Sequence, residues 1–265
     1  MMYLIYNKNV EREEPGSAIC KRDKSQMYDF SERLEAAEMK YELMRGDCME
    51  MLDRVPDASV DLVLTDPPYG ISYQSCRGKY KKKPKIINDS KPFTEFIAKL
   101  PMKLKSTGAA LIFTRWDVQQ AFIDALTNAG MRCKSILIWD KCYGGTGDLK
   151  RAYSRSYESI LFAPMSEFAF PNGRPMDIIR EKKIPAQKLI HPCQKPIPLL
   201  ETLLSQTCAG GGTVIDPFMG SGSTGVACGN LGYAFIGMEL DAGYFDVAKK
   251  RIDAAYVQTR MALEG

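Results

Sequence analysis

The sequence has few of the residues that build metal centres and disulfide frameworks. It contains one histidine, His191, and eight cysteines that are scattered along the chain without a Cys-x-x-Cys pair. A single histidine does not complete a Cys/His zinc cluster, and a chain of this length does not need disulfides to hold its core. We therefore expect no bound metal, and we interpret most of the thiols as small buried hydrophobic groups.

Long hydrophobic runs, internal repeats and low-complexity segments are missing as well. No apolar stretch is long enough to span a bilayer. The segment Met1–Val10 lacks the basic flank, apolar core and small-residue cleavage site of a signal peptide. These absences predict a cytoplasmic protein that makes no contact with a membrane.

What is present is the composition of a globular protein, with 45% hydrophobic and 26% charged residues. From Tyr41 onward, short β-branched apolar runs alternate with helical patterns, which predicts a doubly wound α/β fold with a mostly parallel sheet. We expect one main domain over residues 41–265 and, before it, an N-terminal extension of unknown role over residues 1–40. The pattern predicts a helix over Pro92–Leu104 and, among others, strands over Tyr41–Arg45, Val60–Thr65, Ala109–Thr114, Thr213–Asp216 and Ala234–Glu239. The segments 141–157 and 164–195 show no clear pattern.

The tetrapeptide Asp66-Pro67-Pro68-Tyr69 directly follows the predicted strand Val60–Thr65. An ionised Asp66 only accepts hydrogen bonds, and the Pro67 carbonyl offers a second acceptor. The two prolines stiffen the turn, and Tyr69 offers an aromatic face for an extruded base. This set suits a site that binds both hydrogens of a flat amino group. The alternative is a purely structural Pro-Pro turn with a helix-capping aspartate, which would have the same sequence pattern.

A second motif, Asp216–Thr224, follows the apolar run Thr213–Ile215 and begins at the last residue of the predicted strand Thr213–Asp216. Gly220 and Gly222 allow a tight turn into a helix and a close approach of the backbone to a ligand. Glu239 ends the next predicted strand, nineteen positions after Gly220, the spacing at which an acid reaches ribose hydroxyls. The motif lacks the Gly-Lys-Ser/Thr of a P-loop. The glycines alone do not exclude a nicotinamide cofactor.

Positive charge is concentrated directly after Tyr69. Residues 70–92 contain seven basic side chains and one acidic one, whereas the net charge of the whole chain is only +4. Such a segment beside a strand end is suited to a nucleic acid backbone, and a solvated lysine loop is the alternative. The position next to the tetrapeptide favours phosphate contacts, from Arg77, Lys79, Lys81, Lys82, Lys83 and Lys85.

The chain resembles the amino-methylating DNA methyltransferases, the N6-adenine and N4-cytosine family that uses S-adenosyl-L-methionine. The similarity runs from about Tyr41 to Ile252. The tetrapeptide precedes the cofactor glycines, as in the circularly permuted β class of that family. The matching motifs are Gly46-Asp47-Cys48, Asp66–Tyr69, Ile138–Lys141, Tyr157–Phe162, His191–Pro196, Asp216–Thr224 and Gly237–Leu240.

The resemblance implies a seven-stranded methyltransferase sheet with one antiparallel strand near an edge. It implies that Asp66 and Tyr69 act as amine acceptor and stacking platform, with Pro67 and Pro68 completing the catalytic turn. It places Asp47 near the cofactor's adenine ring and Lys195 near its methionine end. The other cofactor residues it implies are Asp216, Phe218, Gly220, Gly222, Ser223, Thr224 and Glu239. A short segment, about 164–189, would recognise the target sequence, either alone or together with 71–91, 141–157 or a second subunit.

Four further features carry competing interpretations. His191 could be a general base, but its Pro-flanked position favours a positioning role. Pro192-Cys193 is the dipeptide of cytosine-C5 methyltransferases, yet an amine-directed site needs no thiolate nucleophile. Gly144–Gly147 looks like a phosphate cradle without its lysine, so a mobile loop or a linker is favoured. Trp139 could stack on a base, but a position in the core is favoured.

Together, these observations predict a DNA adenine-N6 methyltransferase that flips its target base out of the duplex. The same reaction at cytosine N4, on RNA or on a protein glutamine, and an inactive DNA-binding regulator are the alternatives. Double-stranded DNA is the expected partner, with a homodimer and a cognate restriction enzyme as further possibilities.

Overall fold

The computed structural model describes residues 41–70, 91–144, 150–191 and 193–264. The N-terminal extension, the basic residues from Arg77 to Lys85, and Gly145, Thr146 and Gly147 lie outside the described residues. The predictions made for them therefore stay predictions.

Strands and helices alternate along most of the described chain. The strands are β1 (Tyr41–Arg45), β2 (Val60–Thr65), β3 (Leu104–Thr114), β4 (Ser135–Asp140), β5 (Tyr157–Pro164), β6 (Ile178–Arg180), β7 (Thr213–Asp216) and β8 (Ala234–Glu239). The α-helices are α1 (Cys48–Arg54), α2 (Leu100–Lys103), α3 (Gln119–Asn128), α4 (Ile197–Thr207), α5 (Ser223–Leu231) and α6 (Ala242–Glu264). Short 3-10 helices span Glu95–Lys99 and Ala186–Lys188.

The strands form one eight-stranded sheet in the order β1-β8-β7-β2-β3-β5-β4-β6. Only β5 runs against its neighbours, β3 and β4, and all the other pairs are parallel. The predicted α/β fold with one antiparallel strand is confirmed. The strand beyond the expected seven is β6, which pairs with the edge of β4 and lies inside the segment that we expected to recognise DNA. Its three residues are too few to show an alternating pattern.

Both faces of the sheet are covered, which explains why its strands read as continuous apolar runs. Leu62 and Leu64 of β2 pack with α4, α5 and α6 on one face. Val63 of the same strand packs on the opposite face with α1, α3 and the Glu95–Lys99 helix. All three side chains are fully buried.

Two predicted boundaries differ from the structure. The helix predicted over Pro92–Leu104 is divided into the 3-10 helix Glu95–Lys99 and the short α2, because Pro101 stands in the first turn of α2. Strand β3 begins at Leu104 rather than at Ala109, and its first part pairs irregularly with β2. Among the described helices, none has the length and apolar character needed to cross a membrane.

The strand order places the two sequence motifs side by side. Strand β2 lies between β3, which follows it in sequence, and β7, which belongs to the second half of the chain. The strand order therefore reverses between β2 and β7, and open α/β sheets bind ligands at the carboxyl ends of strands at such a point. Asp66 follows β2 there, and Asp216 ends β7.

Candidate active site

A cavity opens at the carboxyl ends of β1, β2, β7 and β8, and both sequence motifs line it. Besides Glu239, eleven of the predicted catalytic and cofactor residues contribute to its wall: Asp47, Asp66, Pro67, Pro68, Tyr69, Lys195, Asp216, Phe218, Gly220, Ser223 and Thr224. Glu239 also lines the cavity, on the far side from Asp66's strand. Among the predicted catalytic and cofactor residues, all of which the structure describes, only Gly222 does not line this wall.

Gly222 instead allows the turn between β7 and α5 (residues 217–222, the glycine turn) and helix α5 to pack against α6. Its φ of +78° lies in the left-handed region, and a Cβ atom built there would lie 2.9 Å from the Cβ of Ala248 on α6. Gly220 also has a positive φ, and its N–H donates to Oε2 of Glu239 at 3.0 Å. The two glycines therefore have different roles. Gly220 lines the cavity, and Gly222 allows the close contact between α5 and α6.

Asp216 holds the glycine turn in place. Its Oδ1 accepts from the Thr65 hydroxyl at 2.7 Å and from the Phe218 N–H at 3.0 Å, and its Oδ2 accepts from the Thr224 hydroxyl at 2.7 Å. Burial raises the pKa of this carboxyl to about 6, against the opposing effect of these hydrogen bonds. Asp216 therefore ties β2, the turn and the start of α5 together.

Glu239 and Asp47 also have structural partners of their own. Glu239 accepts from the N–H groups of Gly220 and Asp241, and burial raises the pKa of its carboxyl. Asp47 caps α1 by accepting from the Met49 N–H at 2.8 Å. Each carboxylate has lone pairs left over, so each can still accept from a ligand in the cavity.

Two observations indicate that the cavity fits a nucleoside with a polar tail. Phe218 and Phe93 form an apolar wall, with their ring centroids 5.7 Å apart in an edge-to-face arrangement. On the wall of the same cavity, the buried hydroxyl of Ser223 has no hydrogen-bond partner among the described residues. A buried hydroxyl without a partner costs free energy, and a bound polar ligand would remove that cost.

The Asp66–Tyr69 turn closes the cavity at the end of β2. The Tyr69 hydroxyl donates to Oδ1 of Asp66, and the Tyr69 ring meets Phe122 edge to face at 6.4 Å. The Pro68 carbonyl accepts from the Phe93 N–H at 3.0 Å. The Pro67 carbonyl has no such partner among the described residues and stays available as an acceptor. Tyr69 is 9% exposed, so only a small part of its ring faces the cavity.

Lys195 joins this turn to a buried row of charges. Its Nζ donates to Oδ2 of Asp66 at 2.5 Å and lies 3.1 Å from Oε2 of Glu158. The other carboxylate oxygen of Glu158 accepts from Lys141 at 2.5 Å. Glu158 and Lys141 were not among the predicted site residues, although both lie inside motifs that carry the family resemblance. The structure places Lys195 on the Asp66 carboxylate, whereas the resemblance implied a position near the methionine end of the cofactor.

The singular residues of the sequence lie around the same cavity or in the core. His191 lines the cavity, meets Tyr244 edge to face at 4.3 Å, and accepts the Cys193 N–H on Nδ1 at 3.2 Å. Trp139 is 3% exposed and donates to the Glu181 carbonyl, as expected for a core residue. Phe93 and Tyr244 were missed by the sequence analysis, because each stands alone outside the motifs.

The comparisons with known proteins agree with this geometry. The type II methyltransferase M2.DpnII of Streptococcus pneumoniae is 26% identical over 239 residues, which cover 80% of this chain and 89% of that protein. The crystal structure of the M1.HpyAVI–SAM complex is 27% identical with a TM-score of 0.61, and the alignment covers 80% of this chain and 99% of that chain. The cytosine-N4-specific PvuII DNA methyltransferase has the same fold, with a TM-score of 0.63 at 15% identity over 85% of this chain and 93% of that chain.

A family model described as DNA methylase, of the N6/N4 methyltransferase type, matches residues 60–250. That span includes Asp66–Tyr69, Lys195, the glycine turn and Glu239. Members of this family depend on S-adenosyl-L-methionine, so the predicted cofactor is confirmed for the family. The resemblance inferred from the sequence is therefore confirmed, and the chain belongs to the N6/N4 DNA methylase family.

Proposed function

We propose that this protein transfers a methyl group from S-adenosyl-L-methionine to the N6 amine of an adenine in double-stranded DNA. The observation that carries the proposal is the position of Asp66. Its carboxylate stands at the end of β2, on the wall of a cavity that is otherwise lined by the glycine turn and Glu239. An amine held at Asp66 and a cofactor in the cavity would therefore be neighbours.

The residues of the cavity have matching roles in this proposal. Glu239 and Asp47 accept from the hydroxyl and amine groups of the adenosine, and Phe218 and Phe93 flank its ring. Ser223 binds the polar tail through its unpaired hydroxyl. When bound, the cofactor supplies an electrophilic methyl group on a sulfonium.

The target amine needs help because its lone pair is delocalised into the ring. Asp66 and the Pro67 carbonyl accept hydrogen bonds from its two hydrogens, which favours a pyramidal nitrogen with an available lone pair. The nitrogen–carbon bond forms as the carbon–sulfur bond breaks, the cofactor leaves as a thioether, and the nitrogen loses one proton. Positioning supplies much of the rate, since the reaction involves no covalent enzyme intermediate.

The base must leave the helix to reach this site, at an unstacking cost of roughly a few kcal/mol. In our proposal the small exposed face of Tyr69 receives it. Exposed aromatic side chains stand at the same sheet edge, where neighbouring bases would lie: Trp116 after β3, and Tyr143 and Tyr153 between β4 and β5, which are 59%, 54% and 101% exposed. Exposed Arg155, Lys182 and Lys183 add positive charge there.

We propose adenine rather than cytosine as the target base because of the residue type at position 66. In the family that the sequence resembles, an aspartate in this place goes more often with adenine and a serine with cytosine. An ionised carboxylate also accepts more strongly than a hydroxyl. The shared fold with a cytosine-N4 enzyme does not decide between the two bases. The division into an extension and one catalytic domain, a recognition role for residues 164–189, a cytoplasmic location, a homodimer and a restriction partner stay predictions.

Nucleoside analysis of methylated DNA tests the proposal. The purified protein is incubated with S-adenosyl-L-methionine and an unmethylated plasmid, which is then digested to nucleosides and analysed by mass spectrometry. We expect N6-methyladenine and no N4-methylcytosine. N4-methylcytosine alone would reject the choice of base, and no methylated nucleoside from a protein that binds the cofactor would favour a regulator without activity.

A further inference from the structure

The buried charges beside Asp66 form a row that the family assignment does not explain. Four side chains of this row alternate in sign: Lys141 directly after β4, Glu158 in β5, Lys195 just before α4 and Asp66 directly after β2. The side chains of Asp66 and Lys195 are 15% and 9% exposed. Four charges removed from water cost free energy unless each has a partner, so the row calls for a reason.

The geometry points to Asp66 as the group that the row serves. Its Oδ2 accepts from Lys195, and its Oδ1 accepts from Tyr69, so both oxygens are fixed before any base arrives. Each oxygen keeps a further lone pair for the target amine. Lys195 is fixed in turn by Glu158 and lies 4.8 Å from the ring centre of Phe113.

We propose that Lys195 is a positioning residue, whose ammonium group orients the Asp66 carboxylate and stabilises its anion so that it meets the target amine purely as an acceptor. This inference rests on the role that the proposed function gives to Asp66. A protonated Asp66 would present an O–H donor to an amine that needs an acceptor, so the charge on Lys195 bears directly on the reaction.

The electrostatic surroundings of Asp66 agree with this role. Burial raises the pKa of the Asp66 carboxyl, Lys195 lowers it, and Glu158 raises it again. The other groups that face Asp66 or Lys195 are the Tyr69 hydroxyl, Asp216 and Cys193, none of which carries a positive charge. Among these groups, Lys195 alone opposes protonation of Asp66 by its charge. Without it, the pKa of Asp66 would rise further.

The experiment measures the pH dependence of methyl transfer in four proteins: the wild type, Lys195→Gln, Lys195→Arg and Lys103→Gln. Lys195→Gln keeps an N–H donor but removes the charge. We expect the acid limb of its kcat profile to move up by at least about one pH unit, as for a carboxylate that loses a cation in contact. Lys195→Arg keeps the charge and should leave the limb near its wild-type position, even if kcat falls.

Lys103 provides the matched control for loss of a buried lysine. Its side chain is also 9% exposed, and its Nζ lies 2.6 Å from Asp57 on another part of the fold. Lys103→Gln should lower the unfolding temperature without moving the acid limb. If Lys195→Gln and Lys103→Gln both leave the limb in place, or if Lys195→Arg moves it as far as Lys195→Gln does, the inference is wrong.

A second measurement covers the case in which Lys195→Gln is too slow to assay. The titration of aspartate carboxyl carbons, labelled with carbon-13, is followed by NMR, and Asp66→Asn identifies the Asp66 signal. In Lys195→Gln that signal should titrate at higher pH than in the wild type, and an unchanged titration would overturn the inference. Asp66→Asn also separates the two claims: if it keeps normal turnover, the proposed function fails at its catalytic site. Loss of turnover in Asp66→Asn together with an unshifted Lys195→Gln would remove the role of Lys195 alone.

Discussion

The exchange Asp216→Asn tests whether the glycine turn is built around a buried charge. The asparagine side chain has the same shape, and its oxygen can keep the hydrogen bonds from Thr65 and Phe218. Its amide group can donate to the oxygen of the Thr224 hydroxyl, which in the wild type donates its proton to Oδ2 of Asp216. The substitution therefore preserves the packing and removes the titration.

The magnitude follows from the pKa of Asp216, which burial raises from the ordinary 3.8 to about 6. Between these values the folded protein binds a proton more tightly than the unfolded chain does, so this group's contribution to stability is largest in acid. It is lost as the pH rises from about 4 to about 6, by up to about 3 kcal/mol. Above pH 6 the loss is complete and constant.

Urea unfolding of the wild type and Asp216→Asn at pH 4 and pH 7 measures this effect. The exchange changes the free energy of unfolding by some amount at pH 4. At pH 7 the difference between Asp216→Asn and the wild type should have shifted in favour of Asp216→Asn by up to about 3 kcal/mol. The exposed Asp124→Asn on α3 is the control for a loss of net charge. A difference between Asp216→Asn and the wild type that does not change with pH, or that changes in the opposite direction, would refute the reasoning.

Three further predictions concern the glycine turn, the cofactor and DNA. Gly222→Ala should lower the free energy of unfolding by roughly 2–5 kcal/mol, from left-handed strain and the close contact with Ala248. Gly130→Ala has the same φ and nothing within 4 Å, so it should show only the strain, and an equal loss in both would contradict the steric part. Glu239→Ala should weaken S-adenosyl-L-methionine binding in calorimetry by about tenfold or more. The adenosine loses its proposed acceptor, and the Gly220 and Asp241 N–H groups lose a charged acceptor. Turnover should partly recover at high cofactor concentration. Unchanged cofactor affinity would argue against the assignment of Glu239. Neutralising Lys81, Lys82 and Lys83 together should weaken DNA binding for all sequences and reduce the salt slope by about one per lost phosphate contact, whereas an unchanged slope would leave these lysines as a solvated loop.

The parts of the fold that could be predicted are those that the local sequence pattern determines. Strands β1, β2, β7 and β8 have the predicted bounds because each is a short, mainly apolar run, and the first three are followed by the turn residues Gly46, Asp66 and Pro217. The two motifs could be placed at strand ends for the same reason. Strand β6 was missed, since a three-residue strand is defined by its pairing with β4 and not by its own pattern.

The site was predictable where a motif carried it, and less so where partners come from distant segments. Asp66, Gly220 and Glu239 line the cavity as expected. The link between Lys195 and Asp66 spans 129 positions, and the sequence alone does not show which of the acids a lysine will meet. Glu158 and Lys141 lie in matched motifs, yet only the antiparallel pairing of β4 with β5 brings them beside Lys195.

The most direct test of the central claim is a parallel measurement of methyl transfer and cofactor binding in Asp66→Asn. If the Asp66 carboxylate holds the target amine, turnover on double-stranded DNA should fall by about a hundredfold or more, because Lys195 would bind the one acceptor oxygen of the asparagine and leave its NH2 group, a donor, facing the amine. Binding of S-adenosyl-L-methionine should stay close to the wild-type value, since the glycine turn and Glu239 are untouched. Near-normal methyl transfer by Asp66→Asn would contradict the account.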